Sequence, residues 1–178
     1  GKATILTTSP GDNNSAVISA TDASGIKISD LFIRCSDVRT PYMYGIRFLN
    51  VDNSRVEAVW IDGHLRAYCL IHLDANSDGN VIMNCTLWDS FMHIEVHGKR
   101  NVIQNNIISS MSPSSEGISL YHGAAYNTVQ GNTLKHIGDG LICGFNSTYN
   151  SFMGNILYDS LANPICLYDD SHYCSVIS

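Results

Sequence analysis

The sequence predicts an all-β fold, a single-stranded right-handed parallel β-helix of about seven coils that takes up residues 1–178 as one domain. Three observations predict it. A degenerate motif returns at nearly constant spacing, its copies stack into two unbroken apolar columns, and asparagines form further columns beside them.

The motif is a polar residue or Asn, any residue, an apolar residue, two more residues, a small residue or Asn, any residue, and then Ile or Leu. Its copies begin at Ile26, Ser54, Asn80, Asn101, Asn127, Asn150 and Cys174, at spacings of 28, 26, 21, 26, 23 and 24 residues. One solenoid coil has this length. The third position reads Ile28, Val56, Ile82, Ile103, Val129, Phe152 and Val176, and the eighth reads Ile33, Ile61, Leu87, Ile108, Leu134 and Leu157. Apolar residues recurring in this way mark the inward faces of two short strands per coil.

The first position carries Asn80, Asn101, Asn127 and Asn150, and the sixth carries Asn106, Asn132 and Asn155. Asparagine tolerates left-handed backbone angles at tight corners, and stacked amides can hydrogen-bond from coil to coil. The sequence therefore predicts asparagine ladders at the corners.

A further strand precedes each motif. It is visible in turn at Leu70–Asp74, Met92–Val96, Gly117–Tyr121, Gly140–Cys143 and Pro164–Tyr168. Alternation turns Ile71/Leu73, Met92/Ile94/Val96, Ile118/Leu120, Leu141/Cys143/Phe145 and Ile165/Leu167 inward. Helix is not expected, because Asn, Thr, Ser, Gly and β-branched residues dominate and no long 3.6-residue stripe appears. The connections at 36–44, 62–68 and 110–116 are expected to project as loops.

Composition narrows the function. The chain is 44% hydrophobic and 15% charged, with a net charge of −6, which fits a continuous apolar interior and argues against disorder. No run of Lys or Arg exceeds Lys99-Arg100, so the basic stripe of a nucleic-acid binder is missing and no nucleic-acid partner is expected. No apolar stretch is long enough to span a bilayer. The six cysteines show no CxxC pair and no zinc-site spacing, and are expected to be buried free thiols. The chain begins strand-like at Ala3-Thr4-Ile5-Leu6 and stops within a repeat at Ser175-Val176-Ile177-Ser178. With no cap at either end, it is expected to be a fragment of a longer protein or a subunit that stacks end to end on its own copies.

The Asn-x-Ile-x-x-Asn pattern, as in Asn101-Val102-Ile103-Gln104-Asn105-Asn106, resembles the asparagine-rich branch of the pectate-lyase-like β-helix superfamily. That resemblance implies a carbohydrate ligand, by analogy of fold, and an extracellular or cell-surface location. The stretch from His93-Ile94-Glu95 to Tyr121-His122-Gly123 is also similar to the site of the alginate lyase and chondroitinase B family. There, acidic residues on one strand bind calcium, and a Lys and an Arg serve as base and acid. Glu95 matches one calcium ligand, His122-Gly123 matches the end of the Arg-His-Gly segment, and Lys99 or Arg100 stands near the Lys. Tyr121 and His93 stand where that family has an Arg and the first acid.

The candidate site lies on the outward residues of the further strand. One column is read as His72, His93, Ser119, Ile142, Cys166, and the next as Asp74, Glu95, Tyr121, Gly144, Tyr168. At about 4.8 Å per coil, His72 is expected near His93 and Asp74 near Glu95, with His97 and His122 beside them. His93, Glu95, Tyr121 and His122 are the candidate catalytic residues, and His72, Asp74, His97, Arg100 and Ser119 the candidate substrate-binding residues. Asp74 and Glu95 are the candidate metal ligands, for Ca²⁺. Such a cluster suits abstraction of the C5 proton of a uronic acid, and so lyase or epimerase action on an acidic polysaccharide or surface glycan. The rival expectation is a non-catalytic structural module of a fibre, filament, spike or surface layer.

Overall fold

The computed structural model describes residues 4–7, 15–35, 43–64 and 67–177. Three seven-stranded parallel sheets run the length of a right-handed β-helix. The first contains β1 (Thr4–Thr7), β4 (Leu31–Arg34), β7 (Trp60–Asp62), β10 (Thr86–Trp88), β13 (Ile107–Ser109), β16 (Thr133–Lys135) and β19 (Ile156–Tyr158). The second contains β2 (Ala16–Ser24), β5 (Tyr44–Asp52), β8 (Cys69–Leu73), β11 (Met92–Val96), β14 (Glu116–Leu120), β17 (Asp139–Cys143) and β20 (Ile165–Leu167). The third contains β3 (Lys27–Ser29), β6 (Arg55–Glu57), β9 (Val81–Met83), β12 (Val102–Gln104), β15 (Thr128–Gln130), β18 (Ser151–Met153) and β21 (Ser175–Ile177). Among the described residues no helix is long and apolar enough to cross a membrane.

Both apolar columns of the motif are register columns of the sheets. Ile28, Val56, Ile82, Ile103, Val129, Phe152 and Val176 pair in series through the third sheet. Ile33, Ile61, Leu87, Ile108, Leu134 and Leu157 do so through the first. From Val56 to Phe152 and from Ile33 to Leu134 these side chains are almost completely shielded from solvent, in one continuous core. At about 25 cal/mol per Å² of apolar surface removed from water, that core is the main favourable contribution to stability.

The asparagine ladders form, by hydrogen bonding and not by left-handed backbone. The Oδ1 atoms of Asn80, Asn101, Asn127 and Asn150 accept the backbone N–H of Ser54, Asn80, Asn101 and Asn127 at 2.8–2.9 Å. Their Nδ2 atoms donate to Val51, Ser77, Gly98 and Ala124 carbonyls. Asn106, Asn132 and Asn155 repeat the pattern at the next corner. The positive φ belongs to the residue just before each ladder position: Gly79, Arg100, Tyr126 and Tyr149 at one corner, and Asn105, Gly131 and Gly154 at the other. The side-chain amides thus satisfy main-chain groups that the corner takes out of the sheets.

The second sheet bends where alternation predicts a straight strand. Leu70 and Ile71 are consecutive, yet both belong to the core. The glycines in the Leu70 column show which way that column faces. A Cβ on Gly117 would lie 2.4 Å from Leu134 Cδ2, and one on Gly140 2.4 Å from Leu157 Cδ2. Both leucines are in the first sheet, across the interior. Beyond the bend, alternation resumes: Ile46, Ile71, Ile94, Ile118 and Leu141 face in, and Arg47, His72, Glu95, Ser119 and Ile142 face out. Of the expected loops, residues 36–42 and 65–66 lie outside the described residues. Ser110–Ser115 does connect strands, while Glu116 opens β14.

Candidate functional site

The outward column puts Glu95, on β11, beside His72, on β8, as register partners. Glu95 Oε2 lies 2.9 Å from His72 Nδ1, and Oε1 lies 2.9 Å from His97 Nε2. His97 follows Val96, whose inward side chain returns the next residue to the outer face. A single carboxylate is therefore held between two imidazoles that come from neighbouring coils.

Packing fixes the rings. Tyr44 lies 5.3 Å from the His72 ring, and His72 and His97 meet edge-on at 5.0 Å. His122 meets His97 edge-on at 4.6 Å and stacks on Phe145 at 5.2 Å. His72 and Glu95 are buried, His97 is partly covered, and His122 is exposed, so the cluster grades from shielded to open along the face. Burial opposes ionisation of Glu95, but hydrogen bonds from His72 and His97 outweigh it and hold the carboxyl down at about 2. Burial and the neighbouring His97 charge push the His122 imidazole below its ordinary value.

One donor atom from each of His72, Glu95 and His97 lies within 4.8 Å of the others. Two imidazole nitrogens and one carboxylate suit a borderline transition metal such as Cu²⁺ or Zn²⁺. Calcium takes six to eight oxygen ligands, a set that this trio does not offer, so nothing here supports the Ca²⁺ expected on Asp74 and Glu95. Asp74 is engaged in a turn of its own. Its Oδ1 accepts from the backbone N–H of Asn50 and Asn76 and from Ser77 Oγ, capping the turn after β8.

The expected stacking of His72 on His93 is likewise corrected. His93 is opposite Leu70, in the inward column, and is fully buried. Its Nδ1 lies 2.8 Å from the Glu116 carbonyl and its Nε2 3.1 Å from the Ser109 carbonyl, across the interior on β13. Burial depresses its imidazole to about 4, against the pull of the two carbonyls. The ring is a core filler opposite Gly117, on the other side of the sheet from Glu95.

The remaining candidates form a second group and an outlier. Ser119, in the Glu95 column, donates from Oγ to Glu116 Oε2 at 2.8 Å, and Tyr121 Oη donates to the same oxygen at 3.1 Å. Tyr121 and Tyr168 hydroxyls are 2.7 Å apart. Burial raises the Glu116 carboxyl above its usual range. Arg100 sits at a corner, paired with Asp78 at 2.7 Å. Sequence reasoning omitted Glu116 and Arg47, the register partner of His72. Aligning Gly45-Ile46 and Gly117-Ile118 with Leu70-Ile71 and His93-Ile94 brings both into the site.

Comparison with known proteins matches residues 2–173 to the family model described as NosD, periplasmic copper-binding protein. No curated protein and no solved structure matches.

Proposed function

This chain belongs to the NosD family, and on that premise we propose that it binds Cu²⁺ in the periplasm or at the cell surface through His72 Nδ1, the Glu95 carboxylate and His97 Nε2. His122 is the nearest further imidazole. The observation that carries the reading is the geometry of these three donor atoms, which converge within 4.8 Å from His72 and Glu95, paired in one parallel sheet, and from His97, just past the end of β11 with its N–H bonded to the Leu73 carbonyl.

In the metal-free protein, His72 Nδ1–H and His97 Nε2–H donate to Glu95, which keeps the carboxylate ionised and aimed. For a metal to be bound, both nitrogens must present lone pairs, so each proton leaves or moves to the other ring nitrogen. Copper, once held, supplies a redox-capable Lewis acid. Tyr44 orients His72, and the burial of His72 and Glu95 limits water at the donors.

Competition against a chelator of known affinity tests this. The wild type should retain one tightly held Cu²⁺, and His72→Ala/His97→Ala should lose it with the fold intact by circular dichroism. Equal retention by both would sink the reading.

A second reading is recognition of an acidic polysaccharide. It draws on the aromatic side chains along the same face, where Tyr44, Tyr68 and Phe91 pack in sequence, as do Tyr121, Phe145 and Tyr168. Aromatic faces of this kind suit sugar rings. Glu95, ionised and bonded at both oxygens, and His93, turned inward, favour binding over lyase or epimerase action. Retardation on a polyuronate affinity gel, lost in Phe91→Ala/Phe145→Ala, is the expected result for this reading, and unretarded wild type would remove it.

A further inference from the structure

We propose that Cys143 and Cys174 are a disulfide-forming pair that ties the coil carrying β21 to the coil carrying β17. Their Sγ atoms lie 2.8 Å apart, nearer than two unbonded sulfurs normally approach, and both are free thiols. The proposal rests on these two side chains and is independent of the metal reading.

The two positions come together for different reasons. Cys143 is the last residue of β17, inward in the column of Leu120 and Leu167. Cys174 precedes β21, at the motif position that carries Asn in four earlier coils. The asparagine ladder therefore ends in a thiol at this coil. Asn150 Nδ2 lies 3.5 Å from Cys143 Sγ and 4.0 Å from Cys174 Sγ, so the amide that would bond to the next ladder member faces the sulfur pair instead. Cys174 is partly accessible and Cys143 is buried, which sets the order of reaction.

The oxidant is a small disulfide. The Cys174 thiolate attacks one of its sulfurs, forming a mixed disulfide and releasing one thiolate. Cys143, losing its proton as it attacks, then bonds to Cys174 Sγ and displaces the second thiolate. Two protein S–H bonds and one oxidant S–S bond become one protein S–S bond and two oxidant thiols. The protein is oxidised by two electrons and the oxidant is reduced by two. Cys35, Cys69 and Cys85 are buried, and burial raises all three thiols, Cys35 to about 12 and Cys85 to about 11. Burial raises Cys143 as well, to about 12, and it is its place 2.8 Å from Cys174 that selects it as the partner.

The full chain, reduced and then equilibrated in a buffer of reduced and oxidised glutathione, should lose two hydrogens in mass. Non-reducing peptide mapping should return one linked peptide pair joining Cys143 to Cys174. The oxidised wild type should melt roughly 5 to 10 °C above the reduced form, and Cys143→Ala/Cys174→Ala should show no such difference. Recovery of both cysteines as free thiols, of Cys174 bearing only glutathione, or of either bonded to another cysteine would overturn the proposal.

Discussion

Glu95 and His72 are register partners on adjacent coils, and the hydrogen bond between them, 2.9 Å from Oε2 to Nδ1, lies on the outer face of a sheet whose next inward residues are fully buried. Because His97 holds the other oxygen, Glu95→Gln leaves an amide N–H facing one of the two imidazoles. The metal-free variant should be less stable than wild type by about 1 to 3 kcal/mol in urea unfolding. Its copper affinity should fall by at least the 10- to 100-fold that follows loss of an outer-shell partner.

His93 gives acid sensitivity from inside the coil. Its imidazole is depressed from 6.5 to about 4 by burial, so below about 6.5 the unfolded chain binds a proton that the folded chain refuses. Stability from this residue is complete above 6.5, falls as pH drops, and levels off below about 4. The loss is on the order of 3 kcal/mol. His93→Leu matches the Leu70 neighbour in its column and should flatten this limb. Equal pH 7 to pH 4 losses in the two proteins would show that His93 does not titrate as stated.

Asn127 holds two main-chain groups of the preceding coil and is itself held by the next ladder member. It accepts from Asn101 N–H at 2.8 Å and donates to the Gly98 carbonyl at 3.0 Å, while its own N–H bonds to Asn150 Oδ1. Asn127→Ala strands a buried donor and a buried acceptor, and should cost about 2 to 5 kcal/mol in denaturant unfolding. Asn127→Asp should be no better, since its second oxygen would face the Gly98 carbonyl.

Gly140 stands at a close approach between coils. A Cβ there would lie 2.4 Å from the Pro164 carbonyl oxygen and from Leu157 Cδ2. Gly140→Ala should therefore lower stability by about 1 to 3 kcal/mol through overpacking, measured by thermal melt. Gly123→Ala meets nothing within 4 Å but sits at φ +85°, so backbone strain alone should cost about 1 kcal/mol there.

The motif made two of the three sheets legible because the spacing inside each repeat does not vary. Ile28 to Ile33 and Ile103 to Ile108 have the same spacing, so one alignment sets every coil. The second sheet was legible as strands but not in register. Strict alternation places His93 outside, whereas the bend between Leu70 and Ile71 makes two consecutive residues inward and moves Glu95 opposite His72. Gly117 and Gly140 carried the signal of that bend, since a Cβ at either would meet a leucine of the opposite wall and a carbonyl of the next coil. The ladders were legible as chemistry. Their left-handed residues were not, because Arg100, Tyr126 and Tyr149 occupy a conformation that sequence assigns to Asn or Gly.

The most direct test of the metal site is electron paramagnetic resonance of the Cu²⁺-loaded chain beside His72→Gln/His97→Gln. The account predicts nitrogen couplings from two imidazoles in the wild type and their loss in the variant. Unchanged nitrogen couplings in the variant, or their absence from the wild type, would contradict the assignment of His72 and His97 as ligands.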